Sequence, residues 1–575
     1  MDKDLITLGP GKGSKVEAIK LASHYLRGDL AEVFAADTTH IDEDAANLLK
    51  FHGSYQQEDR DQRAARKAAG EEKAYQFMIR SRIPGGVLTA EQYLAHDDLA
   101  GKYGNGTVRL TTRQSIQLHG VLKHNLRSTI REINDALLST LAACGDVNRN
   151  VMGCPAPLAD RAQAHILETV NAIMHHLAPH THAYHELWLN GERVDPHAAA
   201  NDDEPIYGPT YLPRKFKIGV AHGGDNCVDV FTQDIGLISM LEGDRLAGFT
   251  LVIGGGMGMT HNKPNTYPHA ALPLCFVTPE EVIPVVEAIV TVQRDYGDRT
   301  DRKHARMKYV VAERGIPWYR QRVEERLGRK LADPRAIAFD NVDDHLGWHR
   351  QADGAYYLGV FVQSGRIKDD GTFRLRSGLR QLVETLKPGI RITGQQNLLI
   401  TDIAADQRTQ VEDILRTHGV EVDPERLGVS RFSMACPASP TCGLAVAESE
   451  RALPKLLEEL EAELASLGLS GERLSVRITG CPNGCARPYM GDIGFVGRSA
   501  GLYDVFLGGD WQNTRLNAHY AAGVRYEQLI PSLRPLLLDW RERRMGDETF
   551  GAFVHRVGFD ALRATQVKTP AVTAS

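Results

Sequence analysis

Shifting the chain by 282 residues lays Arg149-Asn-Val-Met-Gly-Cys-Pro155 on Arg431-Phe-Ser-Met-Ala-Cys-Pro437, both of the form R-x-x-M-x-C-P. The same shift lays VRLTTRQ, from Val108, on IRITGQQ, from Ile390. Chance explains one such match easily, but two at a single offset poorly. The chain therefore reads as an internal duplication, and its fold must be one that two related halves build together. Gly85-Gly-Val-Leu-Thr-Ala-Glu leads into a helical pattern and then a strand at 107–112; a helix near 377–386 leads into a strand at 389–393. Strands alternating with helices argue for an α/β or α+β class. Two related halves often place a site where they meet.

At 575 residues the chain is too long for one ordinary domain and suggests three or four. A formal net charge of −6 leaves no electrostatic footprint for nucleic acid, so any cationic site must be local. The start, MDKDLITLGPGKGSK, has no apolar core of a signal peptide, and no run approaches the length of a membrane span. GPGKGS lacks the spacing of a phosphate loop. A cytoplasmic protein with reduced thiols is expected. Residues 1–65 read as an arm: LASHYLRGDLAEVF is helical, and the charged run FHGSYQQEDRDQRAARKAAGEEK is a solvated surface or a subunit contact. The tail TQVKTPAVTAS reads as disordered.

Eight cysteines are present. Cys144, Cys154, Cys227 and Cys275 are scattered and read as core residues, whereas Cys436-x5-Cys442 and Cys481-Pro-Asn-Gly-Cys485 form two loops. Zinc favours compact C-x2-C knuckles that converge on one small ion. Wider loops suit a larger body such as a [4Fe–4S] cube held by four thiolates. Iron–sulfur is favoured on spacing, with zinc and free thiols left as alternatives.

Taken with FHGSYQQEDRD, RSRIPGGVLT, VRLTTRQSIQLHG, NRNV, YLPRKFK, QRDYGDRTDRKHARMKY and ITGQQNLLI, these loops resemble the sulfite/nitrite reductase hemoprotein family over almost the whole chain. The arm and YLPRKFK resemble its assimilatory, NADPH-linked branch. The resemblance implies an internally duplicated, three-domain fold with two ferredoxin-like half-domains and two α/β cofactor domains. The expected segments are 1–65 (arm), 66–145 and 346–420 (ferredoxin-like), 146–345 (first sirohaem-binding domain) and 421–575 (cluster-bearing domain). It implies that Cys436, Cys442, Cys481 and Cys485 hold a [4Fe–4S] cluster, with Cys485 also the proximal ligand of a sirohaem iron. It implies sulfite binding by Arg82, Arg149, Lys215 and Lys217, with the lysines on the proton-delivery side. Arg109, Arg113, Arg306 and Lys308 match positions that contact the sirohaem carboxylates; Gln117, Gln396 and Asn397 are softer candidates as hydrogen-bonding neighbours.

From the residues themselves, arginine offers a planar fork for oxyanions and lysine a compact charge able to release a proton. Arg80 and Arg82 flank Ser81, so one strand would put both on one face; Lys215 and Lys217 flank Phe216 in the same way. His119 reads as a packed strand residue. The glycine run in LVIGGGMGMTHNKPNTY lacks the dinucleotide fingerprint and reads as a loop that lets backbone approach a macrocycle. With no nicotinamide or flavin module, electrons must come from another protein, a flavoprotein reductase or a ferredoxin. Cys154 falls on Cys436 in the duplication without a C-x5-C partner; it is either a buried remnant or a residue near the distal face of the sirohaem. The expected activity is six-electron reduction of sulfite to sulfide in sulfate assimilation and cysteine biosynthesis. Nitrite reduction to ammonia is the alternative, and a non-redox zinc-binding protein the distant one.

Overall fold

The computed structural model describes residues 13–158, 162–184, 187–189, 192–194, 204–243 and 245–566. GPGKGS, save its last two residues, and the tail from 567 onward lie outside the described residues. Two compact units emerge: Met1–Gly256 with Ala271–Asp340 and Asp344–Val422, and Met257–Ala270 with Asn341–Asp343 and Asp423–Ser575. Among the described residues no helix is long and apolar enough to cross a membrane.

The first unit contains two five-stranded sheets built to one plan. One runs Ser54–Glu58, Tyr75–Arg80, Ile116–Val121, Val108–Leu110, Arg366–Ile367; the other runs Gly347–Arg350, Tyr356–Val360, Leu398–Ile403, Gly389–Ile392, Val87–Leu88. In each, the last strand comes from the opposite repeat. Arg366 pairs with Arg109 and Ile367 with Val108, while Arg391 pairs with Val87 and Ile390 with Leu88. The repeats thus exchange a strand, and their apolar faces merge in one core that includes Ile79, Leu118, Ile390 and Ile400. Helices Ala90–Lys102 and Leu375–Leu386 cover these sheets. Thr89 starts the first with a reciprocal capping box to Gln92. Asp97, almost fully buried, joins the two helices through Arg376 at 2.6 Å and Arg380 at 2.7 Å.

Each exchanged strand leaves a tight turn. Gly86 has φ +75°, and a β-carbon there would overlap the Ile392 carbonyl oxygen. Space and backbone conformation both demand glycine. Gly86→Ala is expected to cost about 2–4 kcal/mol, read as a lowered urea midpoint with an unchanged slope.

A third sheet of the first unit runs Leu272–Val277, Arg245–Ile253, Ile235–Glu242, Ile218–Ala221, Met152–Gly153. Helices Ala162–His176, Val282–Tyr296 and Met307–Leu327 supply much of its core. The second unit repeats the plan with Ala518–Arg525, Leu502–Leu507, Ile493–Ser499, Val476–Thr479, Met434–Ala435, packed with helices Leu453–Ser466 and Leu529–Arg543. Met152 and Gly153 pair in parallel with Gly219 and Val220; Met434 and Ala435 pair in parallel with Arg477 and Ile478.

The N-terminal stretch departs from expectation. The helix read over LASHYLRGDLAEVF is broken: one helix ends at Ala22, the next is Leu30–Ala35, and His24, Tyr25 and Leu26 take positive φ. Leu26 is fully buried in the core, and its N–H donates to Ser23 Oγ at 3.0 Å, so tertiary packing and a local cap outweigh helix propensity. The charged run contributes the edge strand Ser54–Glu58. Helix Lys15–Ala22 is anchored by buried polar contacts. Lys20 donates to the Leu212 carbonyl at 2.8 Å, and Glu17 pairs with Arg299 at 2.5 Å.

Candidate functional site

In the second unit the cysteines sit on loops that follow two neighbouring parallel strands, Met434–Ala435 and Val476–Thr479. Cys436 and Cys481 are buried, Cys442 is half-buried and Cys485 is exposed. The loops pack through small residues, Ala438, Ala445 and Ala486. Gly480 leaves room for Ala438 and the Ala447 carbonyl, and its N–H donates to Cys436 Sγ at 3.4 Å. Asn483 donates its amide to Cys481 Sγ at 3.5 Å. Burial, and then like charge on Cys485, push the Cys481 thiol up to about 12. Burial and the charges of Cys485, Cys481 and Cys442 push Cys436 up too. Four sulfurs so placed call for a cationic centre that ionises them together. No three of them lie within 4.8 Å of one another, as one small ion would require. A cube whose corner irons stand apart fits this spread. Two arginines that sequence reasoning did not single out, Arg477 and Arg487, are buried in the same unit; Arg487 reaches Met434 Sδ at 3.5 Å.

The first unit carries the cationic residues. Phe216 is the junction: its N–H donates to the Val147 carbonyl and its own carbonyl accepts from Arg149 N–H, both at 3.0 Å. Phe216 is buried in the core, so alternation turns Lys215 and Lys217 to the other side of the segment. The Arg149 guanidinium is held by the Gly145 carbonyl, with Nε and Nη2 each at 3.3 Å. Asp234, wholly buried, organises the next layer. Its carboxylate accepts Lys217 N–H at 2.9 Å and pairs with Arg306 at 2.9 Å, and its carbonyl accepts Gly254 N–H at 2.9 Å. The sequence reading overlooked Asp234; a lone acid ahead of an apolar strand, in Gln-Asp-Ile-Gly, was the available signal.

Gly256 lies against Arg306 and Lys308, and Lys308 Nζ donates to its carbonyl at 3.1 Å. Lys308 is fully buried beside the Tyr309 ring. Burial first, then repulsion by Arg306 and, after the opposing pull of Asp234, by Lys215, bring its pKa down from 10.5 to about 6. Cations here repel one another more than nearby acids relieve them, so a polyanion would be welcome. The unfolded chain binds the Lys308 proton up to about pH 10, the folded cofactor-free chain only up to about pH 6. Stability should therefore rise with pH across that window. We expect Lys308→Met to remove a slope of up to ~1.4 kcal/mol per pH unit, seen by comparing urea midpoints of both cofactor-free chains between those limits.

Arg82 is placed differently from its reading. The strand ends at Arg80, and Arg82 instead bridges to Ser139, so no single strand carries both arginines. Arg80 donates to Cys144 Sγ at 2.9 Å, while Arg82 Nη2 donates to the Met174 carbonyl at 2.8 Å. Burial holds Arg82 down to about 10, and its Nε is buried without a partner among the described residues. Arg113 reaches the carbonyls of Asn150 at 3.2 Å and Ile218 at 3.3 Å, and the Gln233 amide oxygen. Arg109 is buried in its strand opposite Gln117. Gln396 has φ +75° and donates to the Ser364 carbonyl at 3.4 Å; Asn397 bonds Val362 N–H and Asp344 at 2.8 Å each, which closes a turn. Gln114, the register partner of Gln396, was missed. It also takes positive φ, and its amide bonds the Gly153 carbonyl at 2.7 Å and the Ile392 carbonyl at 3.0 Å. His119 is buried within its strand.

Comparison with known proteins tests the pattern as a whole. The model of the nitrite and sulphite reductase 4Fe-4S domain matches residues 168–331 and again 430–570. That of the nitrite/sulfite reductase ferredoxin-like half domain matches 69–136 and 349–418. The chain belongs to the nitrite and sulphite reductase family. Both models match twice, as the duplication requires. A family member from Geobacillus thermodenitrificans, named sulfite reductase [NADPH] hemoprotein beta-component, is 46% identical over 97% of this chain and 98% of its own. One from Synechococcus elongatus, named sulfite reductase [ferredoxin], is also 46% identical, over 97% and 91%. The solved structure of the Mycobacterium tuberculosis NirA protein superposes with a TM-score of 0.76 at 26% identity, covering 95% of this chain and 97% of that one.

Proposed function

We propose that this chain is the hemoprotein subunit of an assimilatory sulfite reductase, which takes sulfite to sulfide with six electrons. Its cofactors are a [4Fe–4S] cluster and a sirohaem, which together supply electron storage and an open iron position for the anion. Cys436, Cys442, Cys481 and Cys485 would hold the cluster. The observation that carries this reading is the placing of those sulfurs on two loops after neighbouring parallel strands, with Cys436 and Cys481 buried, Cys442 half-buried and Cys485 exposed. We assign Cys485, the exposed member of the set, as the residue that would also serve a second iron.

Arg82 and Arg149 would orient the oxyanion and offset its lost hydration, and Arg82 Nε is a buried donor that awaits an acceptor. Lys215 and Lys217 would pass protons, through water, to oxygens that leave as water. Arg109, Arg113, Arg306 and Lys308 would meet the macrocycle carboxylates, with Gln117, Gln396 and Asn397 supporting the surrounding backbone. The five-segment division stated above is retained as part of this proposal, as is a cytoplasmic setting. Relatives that match equally well are named for NADPH and for ferredoxin. We assign a partner flavoprotein as donor, with ferredoxin as the second reading.

The test is steady-state turnover of the purified holoprotein with reduced methyl viologen. Sulfite should be preferred over nitrite in kcat/KM, with sulfide as product; a preference for nitrite would overturn the substrate assignment. Replacing the dye by a flavoprotein reductase with NADPH, or by reduced ferredoxin, decides the donor.

A further inference from the structure

The first repeat holds a second set of ligand-type residues where the second repeat holds its cluster. Cys154, Asp225, Cys227 and His345 bring one ligand atom each to within 4.8 Å of one another, the only such group among the described residues. Cys154 and Cys227 are fully buried, and Asp225 nearly so. Cys154 Sγ lies 3.6 Å from Asp225 Oδ2, and His345 Nε2 lies 2.8 Å from the same oxygen. Around a tetrahedral zinc with bonds of about 2.0–2.3 Å, neighbouring ligand atoms stand about 3.3–3.8 Å apart. The 3.6 Å separation falls within that range, and the 2.8 Å contact of His345 with Asp225 is a hydrogen bond that a bound ion would open by about half an ångström.

Register ties this group to the cluster loops. The shift of 282 carries Met152 onto Met434 and Cys154 onto Cys436. A shift of 258 carries Gly219 onto Arg477, the start of strand Ile235–Glu242 onto that of Ile493–Ser499, and Cys227 onto Cys485. Two sulfurs thus occupy the places of two cluster cysteines. The places of Cys442 and Cys481 have no sulfur, and Asp225 and His345 complete the set instead. That change replaces four thiolates, which suit a cube, with two sulfurs, an imidazole and a carboxylate that converge on one point.

The surroundings hold the ligands in place. Asp225 Oδ1 accepts Cys227 N–H at 2.9 Å, which leaves Oδ2 toward the group. Cys154 is fixed by its N–H to the Val220 carbonyl at 3.1 Å and its carbonyl to the Gln163 amide at 2.6 Å. His345 sits at φ +54°, and Gly359 admits it, because a β-carbon there would overlap the His345 carbonyl oxygen.

The geometry points to a structural zinc site formed by Cys154, Cys227, Asp225 and His345, separate from the cluster of the other repeat. Zn(II) binding releases the two thiol protons to solvent and transfers no electrons. Its site joins the loop after strand Ile218–Ala221 to the segment that leads into strand Gly347–Arg350.

The experiment is elemental analysis and zinc-edge X-ray absorption on holoprotein from zinc-supplemented cells, purified without chelators. The zinc edge is read separately from iron, so the result does not depend on the iron–sulfur assignment. About one zinc per chain is expected, with two sulfurs near about 2.3 Å and two lighter ligands near about 2.0 Å. His345→Gln and Cys227→Ser should each lower zinc at least about tenfold while iron content and the visible spectrum stay unchanged. Zinc below about one-tenth per chain in the wild type, iron in excess of the two cofactors in its place, a Cys154–Cys227 disulfide by peptide mass, or zinc retained in the Cys154→Ala/Cys227→Ala variant would each overturn the assignment. If the variants do not fold, the wild-type zinc edge alone decides.

Discussion

Cys485→Ser is expected to leave sulfite turnover with reduced methyl viologen below about 1% of wild type, because one residue is asked to serve two metal centres. Serine is a harder, far less acidic ligand than a thiolate, so under the proposed assignment the cluster and the sirohaem would both lose the ligand that this residue supplies. The proper comparison is Cys275→Ala. Cys275 is as buried as any cysteine in the chain, but lies in the core of the first unit, among apolar side chains. Its loss should lower stability by a kcal/mol or so and leave iron, acid-labile sulfide and spectrum intact. The two variants separate ligand loss from general damage. If Cys485→Ser retains full turnover, Cys485 does not link the two centres.

Lys217→Met should lower kcat for sulfite by about 10²–10⁴-fold, the usual range for a lost proton donor, with the visible spectrum kept. The Lys217 backbone is clamped by Asp234, and its neighbour Phe216 is tied to both Val147 and Arg149, so methionine can replace the side chain without releasing the segment. Lys217→Arg keeps the charge but not the readily released proton, so substrate binding should recover more than turnover. A variant with unchanged kcat would remove Lys217 from the proton path.

The duplication and the four clustered cysteines were legible in the sequence because each repeats at short range or at one constant offset. The strand at 108–110 and the helix at 375–386 fell where local pattern placed them. What escaped the sequence was set by partners far along the chain. Asp234 gains its meaning from Arg306 and Lys217. Cys154 looked like a remnant because its neighbours come from positions 225, 227 and 345, and no local spacing announces them. The break in the first helix arises because Leu26 is drawn into a core contributed by later residues. Arg80 and Arg82 diverge because their strand ends between them, a boundary that alternation alone does not reveal.

The exchanged strands also govern how the protein can be made. Val87 and Leu88 meet their ladder partners only at Arg391 and Ile390. At a translation speed of about 5–20 residues per second, the ribosome needs on the order of 15–60 s to deliver them. Through that interval the amino-terminal repeat carries Val87 and Leu88 as a strand without its sheet, and chaperones have their longest opportunity to guard it. Expression trouble from weakening mutations should therefore show first as aggregation of nascent or newly released chains, ahead of any fault in the finished enzyme.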